Sequence, residues 1–167
     1  RGKRSQVAWS RRLGYRSNVA YAWESGRRQP TATEVLRAAR RSNIDLANAF
    51  RLFYGATQPA WLESVEELAS PEAVAAFLDE MRGSLSVTEL ARHAGRSRSR
   101  VSRWLSGATQ PRLPDFFRMI EASSLRLVDF VASFVSPERV PSILPLYKRL
   151  EARRRGAFDV PWTQAVL

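Results

Sequence analysis

The sequence predicts an all-α fold built from two copies of one helical unit, and three observations carry that prediction. Residues 95–111 read G-R-S-R-S-R-V-S-R-W-L-S-G-A-T-Q-P, and residues 14–30 read G-Y-R-S-N-V-A-Y-A-W-E-S-G-R-R-Q-P, with Gly, Trp, Ser, Gly, Gln and Pro at matching places. The offset stays at 81 from Gly14 and Gly95 to Pro30 and Pro111, so no insertion separates the copies. Around these stretches apolar residues recur at i, i+3 and i+4, and S/T-x-x-E capping boxes stand at Thr31 to Glu34 and Ser86 to Glu89.

Taken in order, the first copy opens with a short helix that has Gln6 as its second residue, turns Ser10 inward and ends at Gly14. A second helix begins near Ser17, buries Ala20 and Trp23, and leaves Ser17, Asn18, Tyr21 and Ala22 on its free face. From the Thr31 box a helix runs with Ala32, Val35, Leu36 and Ala39 apolar, to Asn43. Ile44, Leu46, Ala47, Phe50 and Phe53 mark the helix that closes the unit.

Residues 55–59, G-A-T-Q-P, recur letter for letter at residues 107–111, but at a separation of 52, which reads as a reused turn. Trp61, Val65, Leu68 and Ala69 against Glu63, Glu66 and Glu67 then predict one amphipathic helix with an acidic side to water. Pro71 suits the first position of the next helix, whose buried side is Val74, Phe77, Leu78 and Met81.

In the second copy, the Ser86 box starts a helix with Leu90, Ala91 and Ala94 inward, which stops at Gly95. Ala91 and its counterpart Ser10 leave room for a close helix crossing. Ser97 is a natural N-cap, and Val101, Trp104 and Leu105 make the buried stripe of a two-turn helix. Its free side carries Ser99, Ser102 and Arg103, flanked by Arg98 and Arg100. Helix, glycine turn, helix is the helix-turn-helix pattern. Leu113, Phe116, Phe117 and Ile120, then Leu127, Val128, Val131 and Phe134, repeat the two closing helices. Ile143, Leu146, Tyr147 and Leu150 predict a final helix, limited by Pro145 and ended by Arg153, Arg154, Arg155 and Gly156. Beyond it, Trp162 sits in a short segment of unassigned structure. The expected organisation is a first unit at residues 1–54 with its leading helix truncated, a helical acidic spacer at 55–70, a second unit at 71–135, and a helical extension at 136–167.

Charge is segregated along this plan. Lys and Arg number 27 against 16 Asp and Glu, a net charge of +11, and Arg82 is the one cation within residues 55–86. That segment holds Glu63, Glu66, Glu67, Glu72, Asp79 and Glu80. Basic units around an acidic spacer favour a polyanion, foremost nucleic acid, over general solubility. No stretch approaches the ~20 apolar residues of a membrane span. The chain has no Cys and one His, His93, so disulfides and zinc are not expected, and a cytoplasmic location is allowed. His93, at the place of Arg12, reads as a solvated or phosphate-touching side chain.

Ser5-Gln6, Leu13-Gly14, Val19-Ala20, Trp23 to Gly26 and Arg28-Gln29-Pro30 resemble the phage repressor/Cro, or xenobiotic-response-element (XRE), family of helix-turn-helix domains. Leu90-Ala91, Gly95, Ser97 to Arg103, Trp104, Gly107 and Pro111 are similar in the second copy. The resemblance implies two tandem lambda-repressor-like domains, bacterial or phage-type, in which the first, second, fifth and sixth residues of the reading helix meet bases. It therefore implies base contacts at Ser17, Asn18, Tyr21 and Ala22, and at Arg98, Ser99, Ser102 and Arg103. It implies a phosphate contact at Gln6 that also braces the reading helix; Val87 stands at the matching place of the second copy. Arg16, Arg27, Arg28, Arg96 and Arg100 are further candidate phosphate contacts. Arg27 and Arg28 have the plainer reading of a solvated turn, and Tyr21 that of a packing residue. Trp23 and Trp104 read as structural core.

These readings converge on a sequence-specific regulator of double-stranded DNA, acting by steric block or recruitment and without catalytic residues, metal or cofactor. The first unit, with the higher charge, would supply affinity and the second discrimination, with subsites about one helical turn apart and not necessarily palindromic. An alternative is a protein-interaction scaffold or antitoxin-like regulator in which one copy no longer binds DNA. A homodimer or protein partner through the C-terminal helix stays open. The three clustered glutamates of the spacer read as a solvated face, since no His or second carboxylate cluster accompanies them for acid-base or nuclease chemistry.

Overall fold

A computed structural model describes residues 4–159; residues 1–3 and 160–167, with Trp162, lie outside the described residues. Eleven α-helices and one 3₁₀ turn make up the described chain. They are α1 (Gln6–Arg12), α2 (Val19–Glu24), α3 (Ala32–Arg41), α4 (Leu46–Tyr54), α5 (Trp61–Ser64) and α6 (Pro71–Arg82). After them come α7 (Val87–Ala94), α8 (Arg98–Leu105), α9 (Leu113–Ser124), α10 (Leu127–Phe134), a 3₁₀ turn (Pro137–Arg139) and α11 (Leu144–Asp159).

The start signals act as their chemistry requires. Thr31 and Ser86 each accept the backbone N–H of the glutamate three residues on, while Glu34 and Glu89 return a bond to the cap residue's N–H. That bonding, from the Ser86 hydroxyl first, holds the Glu89 carboxyl below its ordinary range. Pro71 opens α6 behind the cap Ser70, whose hydroxyl accepts from Ala73 N–H. Gly95 stops α7 in the left-handed conformation at φ 63°, which a residue with a Cβ adopts only with strain. Gly14 turns at φ 85° with the Arg41 guanidinium against it, so a side chain there would also collide.

One continuous apolar cluster runs through the described chain. Phe50 and Phe53 of α4, Trp61 of α5, Phe77 of α6 and Phe130 of α10 are all buried, with ring centroids 5.2 Å apart for Phe50–Trp61, 5.3 Å for Phe50–Phe77, 5.5 Å for Phe53–Phe130 and 5.4 Å for Phe77–Phe130. Phe77, with no exposed surface, is the meeting point.

Four expectations about elements need correction. The predicted spacer helix is a single turn, α5, and Val65 leaves it in extended conformation. The carboxylate of Glu67 takes the Ala69 backbone N–H at 2.8 Å, and this local bond competes with helix in the way short polar side chains do, just ahead of the break at Ser70-Pro71. Trp61 and Ala69 are nevertheless buried, together with Leu62. The buried residue of α10 is Phe130, which the pattern reading passed over, whereas Leu127, Val128, Val131 and Phe134 are half-buried. The last helix does not end at Gly156 but continues to Asp159. Arg154 anchors it by pairing with Asp129 of α10 at 2.7 Å. Finally, the second helix of the first half starts at Val19 and not near Ser17, because Asn18 takes the N-cap, its side chain accepting from Tyr21 N–H.

The segments that follow α2 and α8 meet. Thr31 and Arg112 form an isolated antiparallel bridge. Ala32 N–H donates to the Pro111 carbonyl at 3.0 Å and Leu113 N–H to the Pro30 carbonyl at 2.8 Å. Thr33 donates to the Gln110 side chain at 2.6 Å, and Arg112 to the Gln29 carbonyl at 2.9 Å. Around this point α3 packs against α9 and α4 against α10.

Candidate nucleic-acid interface

The geometry of α7, the turn and α8 follows from four residue choices. Ala91 is buried where the two helices cross, Gly95 supplies the turn, and Val101 and Trp104 are buried at 0% and 4% exposure. With that stripe packed against α7 and α6, the opposite side of α8 faces water. Arg98, Ser99, Arg100, Ser102 and Arg103 are all exposed there. None of these three guanidinium groups forms an ion pair or hydrogen bond among the described residues. Ser97 occupies the N-cap place, but its hydroxyl lies 3.5 Å from that of Ser99 and caps no backbone N–H. Guanidinium groups without a protein partner need break no ion pair to take an anion, and their fork of N–H donors matches phosphate oxygens and the acceptor edge of guanine in geometry.

Residues 73–125 match the helix-turn-helix domain family. The matched span runs from α6 through α9 and includes the whole of α7 and α8. In helix-turn-helix domains generally the second helix of the motif enters the DNA major groove; the helix that follows the Gly95 turn in the matched span is α8. Comparison with curated proteins and with solved structures gives no match.

The corresponding stretch of the first half turns at Gly14 as α7 turns at Gly95, but its second helix starts two repeat positions later and presents a different face. Ser10, buried at 1% exposure where Ala91 stands in the domain, donates its hydroxyl to the Gln6 carbonyl at 2.8 Å and accepts from Ala20 N–H at 2.9 Å. Two turns' worth of backbone are thereby tied together, which a methyl group could not do. Ser17, Asn18 and Tyr21 are exposed and Ala22 is half-buried. The Asn18 side-chain oxygen serves as the helix cap, so bidentate pairing with adenine from that side chain would first release it. Arg27 lies over the Tyr21 ring at 5.0 Å, holding that ring on the surface. Trp23 is only half-buried, against the fuller burial expected, and packs edge-on against Tyr15 at 5.7 Å. The cause is coverage, since α8 lies against both α7 and α6, whereas α2 packs chiefly on α1. Trp23 Nε1 has no hydrogen-bond partner although the atom is buried.

The candidate phosphate contacts divide into held and free. Arg28 pairs with Glu34, and Arg96 pairs with Asp115, its Nε 2.7 Å from the carboxylate. Gln6 donates to the Glu24 carboxylate at 2.7 Å and so joins the start of α1 to the end of α2. Arg16 and Arg100 are exposed and carry no such partner. Glu34 and Asp115 were missed as functional neighbours, yet the signal was present: an acid stands at the same repeat position in both halves, 81 residues apart. Glu34 also accepts from the Tyr15 hydroxyl at 3.2 Å, and burial, followed by the nearby Glu34 charge, pushes the Tyr15 pKa up. No described helix is long and apolar enough to cross a membrane.

Proposed function

We propose that the chain is a sequence-specific double-stranded DNA-binding regulator that uses two helix-turn-helix units, residues 1–54 and 71–135, with α8 and α2 as reading helices. The observation that carries this reading is the set Arg98, Arg100 and Arg103, exposed and with guanidinium groups unpaired beside Ser99 and Ser102 on α8, the helix after the turn in the matched domain. Arg98 or Arg103 donates two bonds to the O6 and N7 of a guanine, and Arg100 with Arg16 neutralises phosphates. Regulation follows from occupancy, by blocking or recruiting other proteins at the site.

The two units do unequal work. Residues 1–54 carry 12 Lys and Arg against 3 Asp and Glu, and residues 87–135 carry 8 against 4. The reading face of α2 has no arginine, so its unit adds phosphate affinity while α8 discriminates between bases. A second reading, in which the first unit has left DNA binding and serves a protein, is favoured by the capped Asn18, the Arg27-covered Tyr21 and the held Arg28.

Selection of duplexes from a random pool separates the readings. The intact chain should enrich a consensus containing a guanine that Arg103→Ala or Arg98→Ala no longer selects. Enrichment of no consensus, or one unchanged by both substitutions, would sink the assignment of α8.

A further inference from the structure

We propose that the single chain is a built-in dimer: an internal two-fold axis relates its halves, so one chain reads an inverted, imperfect repeat whose half-sites are centred about one helical turn apart. This rests on the reading of α8 and α2 as DNA-facing helices and adds to it the arrangement of the site and the number of chains that fill it.

Reciprocity is the signature of a two-fold axis, because whatever residue i gives to j, the counterpart of i must receive from the counterpart of j. Shifting the bond from Ala32 N–H to the Pro111 carbonyl by 81 in both directions yields Leu113 N–H to the Pro30 carbonyl, and both bonds are made. Thr31 pairs in antiparallel fashion with Arg112, its own counterpart, which puts the axis at that bridge. Helix α3 packs on α9, and α4 on α10, again each element against its own counterpart. A head-to-tail stacking of two units would make each such contact once, with no return bond. The faces of α4 and α10 that a separate pair of chains would need for dimerising are spent inside the chain, on Phe50, Phe53 and Phe130.

Duplex DNA has local two-fold axes of its own, and helices related by such an axis meet half-sites of opposite strand direction. Chain length limits their separation. Glu24 and Leu105, the last residues of α2 and α8, each stand seven residues from the bridge, a reach of at most about 25 Å per side. The turns at Gly26 and Gly107, where each N–H bonds back to the indole residue's carbonyl, shorten both paths. Two helical turns of DNA, roughly 68 Å, lie beyond the helix centres under that limit, and one turn, roughly 34 Å, lies within it. The repeat is imperfect because Arg98, Ser99, Ser102 and Arg103 face one half, while Ser17, Asn18, Tyr21 and Ala22 face the other.

The test uses the intact chain on its selected duplex. Expected are an inverted repeat with half-sites about 10 base pairs apart, one chain per duplex by sedimentation or native mass, and a loss of about tenfold or more when some 5 base pairs are inserted between the halves. Arg103→Ala should relax one half only. Salt-sensitive binding to a direct repeat, to one half-site, or by two chains per duplex overturns this inference and leaves the DNA reading standing. Absence of salt-sensitive duplex binding overturns both.

Discussion

Arg103 and Arg28 carry the same charge in opposite situations. Arg103 is exposed and unpaired on the face of α8, whereas Arg28 is already bound to Glu34 beside its own helix start. Arg103→Ala should therefore relax preference at one base pair by about 1–3 kcal/mol, read from affinities for single-site variants of the selected duplex. Arg28→Ala removes an exposed ion pair and should shift stability and affinity by less than about 1 kcal/mol. Sequence shows where arginines cluster, and it placed those of α8 on a free face. It did not show which arginines elsewhere were held, because the holding carboxylates Glu34 and Asp115 lie 6 and 19 residues away and reach them only once the chain has turned. The two indoles differ likewise. Trp104→Ala should cost roughly 3–5 kcal/mol of stability, seen as a lowered denaturation midpoint, and Trp23→Ala distinctly less, since Trp23 is half-buried. Equal losses would mean that α2 is covered as fully as α8.

At the scale of elements, helices with a strong start were legible and those decided by neighbours were not. The capping boxes at Thr31 and Ser86 and the Ser70-Pro71 start gave α3, α7 and α6 their first residues. The acidic stretch after Trp61 has a helical pattern, but Trp61 and Ala69 find the core separately and the backbone between them bends. That joint should also respond to pH. Tyr54 lies against Trp61 and Phe77, accepts the Trp61 indole N–H at 3.3 Å, and is pushed by burial from an ordinary pKa of 10.0 up to about 12. A raised folded-state pKa favours the protonated fold, so the contribution is complete below pH 10 and is lost as pH rises towards 12. Denaturation midpoints should fall over that window in the parent protein, and the fall should be smaller in Tyr54→Phe; an equal fall in both would assign the alkaline loss elsewhere.

The molecule as a whole joins both halves of the repeat in one apolar cluster. Small units of this size gain little from their own interiors, and the rings of α4, α6 and α10 meet around Phe77. Phe53→Ala should therefore cost roughly 3–5 kcal/mol and lower a single transition, and Trp fluorescence and circular dichroism should report the same midpoint. Two separated transitions would contradict the shared core. The offset of 81 was legible in the sequence, but the reciprocal backbone bonds of Ala32 to Pro111 and Leu113 to Pro30 were not, because such bonds leave no mark on side-chain identity. DNA binding itself is tested most directly by the affinity of the intact chain for duplex DNA across a salt series. The arginine-rich face of α8 calls for log K to fall steeply with log salt, at about −0.9 per phosphate neutralised. A flat response would contradict it.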